Sequence, residues 1–307
     1  MKIRETVTAP AAVLATYGLY YLCYLSPVVQ NALRAYSDYS LISGVVLEVL
    51  VLLMPAVIYA KIKGVGYSVK MHFAAFHPSC IVFCLLAVVF ALAALSLCAT
   101  FTNFFGITGG KYSLGDTYML SVSDKELPTG LRLLTYTVLP CMAEEFLYRG
   151  VLITELRENG VVSAVIFSSV LFAFGQFSFD KLPAYILLGL IMSGVFYVTN
   201  SLPMTVIVRV CIGIAVFYFE DAAWSLILKR SDIVFFTCLC AVLMLLCAAL
   251  ALSEAQRIFY NRALDALPSP PESTLAAGLP ASLLTALLSP TFILCAAAYI
   301  CVMLLVR

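Results

Sequence analysis

Glu144, Glu145 and Arg149 place three charges within six residues of an otherwise apolar stretch, Pro140-Cys-Met-Ala-Glu-Glu-Phe-Leu-Tyr-Arg149. At about 100° per helical residue, Glu145 and Arg149 share a face and can pair, while Glu144 points elsewhere. One carboxylate is then neutralised and one is left over. A positioned carboxylate in reach of a water can serve as general base; three charges can also simply tie a helix bundle together. Pro140 has no backbone N–H and displaces the carbonyl of Tyr136, one turn earlier, which can open the helix beside the charges to water or substrate.

Glu48 and Arg209 also fall within apolar runs. An ionisable group at bilayer depth costs about 2.5–3.5 kcal/mol, so each needs a reason. Glu48 reads as a hydrogen-bonded helix-packing residue or as a partner for Arg209. Cys141 lies three residues before Glu144 but has no histidine base, so packing is the better reading than nucleophilic catalysis. The histidines, His72 and His77, precede the third apolar run. That leaves Glu144, Glu145 and at most Cys141 or Cys211 as ligands in the core, so neither a metal site nor a cofactor is expected.

These residues must be positioned by membrane helices. Hydrophobic residues make up 63% of the 307-residue chain, charged residues 11%, and mean hydropathy is +1.03, far from the balance of a soluble domain. At about 20 apolar residues per crossing, the runs are 7–29, 41–60, 79–102, 131–153, 161–179, 183–199, 202–219, 233–252 and 283–306. The seventh is the least regular, because Arg209 interrupts it and Glu220 and Asp221 follow it. The expectation is an all-α, polytopic transmembrane bundle of about eight or nine spans, a single integral membrane domain over 1–307 whose first span is retained. Long polar connections are expected at 103–130 and at 254–278, the second carrying Pro268, Pro270 and Pro271. Basic residues divide evenly between the two sides, and the short-loop cluster Lys61–Lys70 favours a cytoplasmic N-terminus. A net charge of +1 with no basic block excludes nucleic acid as a partner. Eleven cysteines, almost all within apolar runs, read as small buried hydrophobes.

Glu144-Glu145-x-x-x-Arg149 resembles the first motif of the CAAX protease and bacteriocin-processing (CPBP, or Abi) family of intramembrane endopeptidases. The family's second motif, a phenylalanine followed four residues later by a histidine, is similar to Phe172-Ala-Phe-Gly-Gln176, with Gln176 in the histidine's place. Its third motif, a histidine followed four residues later by an asparagine after a polar turn, falls on Arg209 and Gly213 after Thr199-Asn-Ser-Leu-Pro203. The resemblance covers about 129–215 and departs from the family at both histidines and the asparagine.

The resemblance implies Glu144 as the water-activating base, with Gln176 and Arg209 in the catalytic positions and Glu145, Arg149, Phe172 and Gly213 supporting. Gln176 can orient a water but cannot take up its proton. Arg209, a permanent cation, can stabilise an oxyanion or pair with Glu144 in a closed core. Two functions follow as expectations. One is a glutamic intramembrane endopeptidase acting on a membrane-proximal or prenylated, CAAX-type peptide or a lipidated protein. The other is a non-catalytic relative binding a peptide or partner protein, for example in bacteriocin immunity or maturation. A transporter is a distant third, since no second half of the chain echoes the first. The expected location is the plasma membrane, with the lipid bilayer as partner.

Overall fold

The computed structural model describes residues 2–25, 27–28, 31, 40–64, 66–67, 71–73, 78–105, 128–157, 160–179, 181–229, 232–264 and 287–306. Among these, every regular element is helical. In order they are α1 (Lys2–Leu25), α2 (Ser40–Lys63), α3 (Ile81–Phe104), the composite α4 (129–156), α5 (Val161–Gly175), α6 (Leu182–Thr199), α7 (Leu202–Leu228), α8 (Ile233–Leu264) and α9 (Pro290–Val306). The side chain of Glu48, and His77 altogether, lie outside the described residues, as does most of both expected long connections.

Among the described residues, four stretches are long and apolar enough to cross a membrane: Pro78–Phe104, Leu182–Thr199, Leu202–Phe219 and Ile233–Arg262. Val161–Gly175 and Pro290–Leu304 are apolar but shorter. The outer face of α8 exposes Val234, Phe235, Val242, Leu245 and Leu246, a continuous apolar surface that only lipid can solvate at this size. The chain is an integral membrane protein, and the bilayer is its solvent. All eleven cysteines are free thiols.

Several helix limits differ from those read in the sequence. Helix α8 runs on to Leu264, twelve residues past the expected 252, so 254–264 is helix rather than linker. Its hydropathy falls but its helical register does not: Ala255 and Ile258 stay buried, and Glu254 pairs with Arg257 at 2.6 Å, the spacing at which helix neighbours meet. Helix α7 likewise continues to Leu228, through Glu220 and Asp221. Helix α5 stops at Gly175 rather than 179, because Phe177 adopts a left-handed φ of +42° that no helix accommodates.

Helices α5 and α6 cross closely at Gly189. A Cβ built on Gly189 would lie 2.8 Å from the Cα of Ser169, so the two backbones meet where glycine alone fits. Small residues permit this approach in membrane bundles. We expect Gly189→Ala to destabilise the protein by about 1–3 kcal/mol, read as a lowered melting temperature in mild detergent. Gly194→Ala, whose new methyl meets nothing within 4 Å, should melt with wild type.

Candidate functional site

Helix α4 is not a uniform α-helix. It alternates Thr129–Leu133, a π turn at Leu134–Val138, an α segment at Leu139–Glu145, a second π turn at Phe146–Ile153, and Thr154–Leu156. Single π turns inside α-helices widen the backbone and recur at functional sites. Pro140 falls in the first turn of the α segment that follows the first π turn, where a missing N–H costs least. The two glutamates close that same segment, framed by both wide turns.

Glu144 is 1% exposed and both carboxylate oxygens are engaged. Gln176, which caps the C-terminus of α5, donates from Nε2 to Oε1 at 3.0 Å. Arg209, two turns into α7, donates from Nη2 to Oε2 at 3.1 Å. The Arg209 side chain keeps 12% of its surface exposed, so it closes the site from its rim.

Glu145 and Arg149 form a second, deeper pair, Oε1 to Nη1 at 3.1 Å, with both side chains fully buried. Arg149 also donates from Nη2 to the carbonyl of Gly189 at 3.1 Å. Neither Glu145 oxygen has an aligned hydrogen bond, so charge attraction rather than directional bonding holds this pair. Phe172 stands between the two guanidiniums, its ring centre 4.8 Å from Cζ of Arg149 and 5.8 Å from Cζ of Arg209. Both contacts are within the range of cation–π attraction. The ring is itself fixed edge-on by Tyr148 at 5.3 Å and Tyr185 at 6.2 Å.

The structure therefore brings Glu144, Gln176 and Arg209 together in direct contact and sets Glu145, Arg149 and Phe172 beside them. Gly213, one turn beyond Arg209, faces Thr137: a Cβ there would come within 2.4 Å of Thr137 Cγ2 and 3.8 Å of Cys141 Sγ. Cys141 is buried in this packing. His72 sits elsewhere, against Arg157. Among the described residues, no three His, Cys, Asp or Glu side chains gather.

Two participants carry no sequence signal. The Gly189 acceptor is a backbone atom, available at any residue type. Thr137 meets Gly213 only through the crossing of α4 and α7. The place of Phe172 between two cations follows from geometry that the motif spacing does not contain.

Chemically, the centre is a carboxylate held by one neutral amide and one permanent cation. The amide can orient a water, and the cation can neutralise a developing oxyanion. Before either can act, the direct contacts to Glu144 must part.

Residues 127–215 match the family model described as Rce1-like, type II CAAX prenyl endopeptidase Rce1-like. No curated protein and no solved structure matches the chain. The matched segment covers less than a third of the chain, and it contains α4 to α6 and the first half of α7, hence every residue of the centre just described. The charged motif on α4, the partial motifs on α5 and α7 and this match make the segment 127–215 similar to the Rce1-like group of type II CAAX prenyl endopeptidases.

Proposed function

We propose that this protein is a CAAX-type intramembrane endopeptidase acting on a membrane-proximal or lipidated peptide. In this reading α1, α2, α4, α5 and α9 join the four long spans to give the eight or nine crossings suggested by the sequence, and the membrane is the plasma membrane. The observation that carries it is the convergence of Gln176 and Arg209, from two different helices at the motif positions, on the two oxygens of Glu144.

In the reaction, a peptide carbonyl approaching from the rim takes Arg209 as its partner, freeing Oε2. A water held by Gln176 then attacks the carbonyl carbon while Glu144 accepts its proton. Arg209 neutralises the oxyanion of the tetrahedral intermediate. As that intermediate collapses, the C–N bond breaks, and Glu144 returns the proton to the leaving amine. Glu145 and Arg149 take no part in proton transfer; they fix α4 against α6.

A second reading has its own observation. Both oxygens of Glu144 are occupied in a nearly sealed core, as in a non-catalytic relative that binds a peptide or partner protein without cutting it.

The test is purified protein in lipid nanodiscs, assayed on a library of membrane-anchored and prenylated peptides alongside Glu144→Ala. Cleavage by wild type that Glu144→Ala abolishes establishes the endopeptidase. Peptide capture without cleavage, in both proteins, establishes the binding role.

A further inference from the structure

Helices α4, α6 and α8 end on one face of the bundle, and their ends assemble a second polar cluster. Arg157 follows α4; His72 lies in the segment before α3; Asn200 caps α6; Arg262 closes α8. Glu144 lies thirteen residues before Arg157, on the order of 20 Å away along the helix, so this cluster is separate from the centre above.

Its geometry is built rather than incidental. Arg157 Nη1 donates to Asn200 Oδ1 at 3.2 Å and lies 3.2 Å from His72 Nε2. His72 and Asn200 both adopt left-handed backbone, at φ +52° and +50°, conformations that cost free energy in non-glycine residues and persist only where surroundings enforce them. The His72 backbone is tied down by Leu202, whose N–H donates to the His72 carbonyl at 3.1 Å. Arg157 lies over the Tyr197 ring at 5.9 Å, and Tyr197 packs on Phe259 of α8 at 5.8 Å. Arg262 donates from Nη2 to the Thr199 carbonyl at 2.6 Å.

Among the described residues no carboxylate compensates the charge of this cluster. Burial, reinforced by Arg157 and Arg262, pushes His72 below its usual range, so the ring stays neutral and can accept from Arg157. That leaves two cations. Among the described residues neither arginine pairs with a carboxylate: Glu155 is held by Lys63 at 2.5 Å and Glu254 by Arg257 at 2.6 Å. Two donor atoms, Arg157 Nε and Arg262 Nη1, are shielded from solvent and have no hydrogen-bond partner among the described residues. Buried donors of this kind call for an acceptor.

The acceptor must be anionic, small enough to enter between helix ends, and present where transmembrane helices terminate. We propose that Arg157 and Arg262 bind the phosphate of an anionic lipid headgroup, with His72 and Asn200 holding Arg157 in place. Basic pockets between helix ends are suited to such headgroups, and guanidinium forks match phosphate oxygens. The lipid rather than a free anion is favoured because α6 and α8 are themselves membrane spans ending at this site.

The experiment uses full-length protein in phosphatidylcholine nanodiscs doped with phosphatidylglycerol, followed by native mass spectrometry of the extracted protein. Wild type should retain phosphatidylglycerol over phosphatidylcholine. Arg157→Gln with Arg262→Gln should lower that retention by roughly thirtyfold, as expected for two guanidiniums at an anionic surface. Asn200→Asp offers a second arm that keeps the packing: it places a carboxylate beside Arg157 and should weaken retention while the protein still elutes as a single species. Glu144→Gln should retain lipid as wild type does. Undiminished retention in the double variant or in Asn200→Asp overturns the proposal, as does equal retention of phosphatidylcholine. Inorganic phosphate that displaces the lipid at millimolar concentration overturns the lipid assignment in favour of a free anion.

Discussion

Arg149→Ala lowers the melting temperature in mild detergent by roughly 10 °C. The cause is the carboxylate it leaves behind. Glu145 and Arg149 are both fully buried, and removing one member of such a pair strands the other charge, at a cost of about 3–5 kcal/mol. The Gly189 carbonyl loses its donor and Phe172 loses one of its two cations. The double variant Glu145→Gln with Arg149→Met removes both charges together and should recover most of the loss, since neutral replacement of a buried pair is often free of penalty. Equal melting of Arg149→Ala and wild type, followed by a fluorescent thiol or light-scattering readout, would show that the pair bears no load in this bundle.

The largest change in activity is expected from rebuilding the family's motif side chains. Gln176→His with Arg209→His and Gly213→Asn restores a proton acceptor beside Glu144 and a neutral donor pair on α7. A missing acid–base partner costs about 10²- to 10⁴-fold, so hydrolysis of a membrane-anchored peptide should rise by that factor. Position 213 sets a condition that the motif alone does not reveal: its new Cβ falls 2.4 Å from Thr137 Cγ2. Thr137→Ser removes that methyl and must accompany the other three. The triple variant without it should be poorly folded, and the quadruple variant should be both stable and faster than wild type. A quadruple variant that folds, binds peptide and cuts nothing would sink the endopeptidase reading and leave the binding one.

What the sequence could reveal followed from charge accounting. Arg209 is the sole cation between 202 and 219, Arg149 claims Glu145 by spacing, and Glu144 is then the carboxylate Arg209 can reach. The 3.1 Å contact is the structural form of that argument. Helical class was legible from apolar content, because lipid leaves backbone groups no partners but their own. The π turns of α4 were not, since one wide turn shifts the register without altering hydropathy. Nor was the end of α8, because hydropathy reports where a helix leaves lipid and not where it ends. The Thr137–Gly213 contact depends on how two helices cross, which local pattern does not encode.

The early end of α5 has a consequence for water. Fifteen residues rise only ~22 Å, against a hydrocarbon thickness of about 30 Å, and the last turn of that short helix delivers Gln176 to Glu144. Such hydrophobic mismatch is relieved by local thinning of the bilayer around the short element. In the nine-span reading the deficit lies at the Gln176 end of α5, opposite the end that follows Arg157, and thinning there brings the nearer leaflet surface towards Gln176. In that reading the distance of Gln176 and Glu144 from bulk water depends on the lipid's acyl-chain length, so activity in nanodiscs should change with chain length.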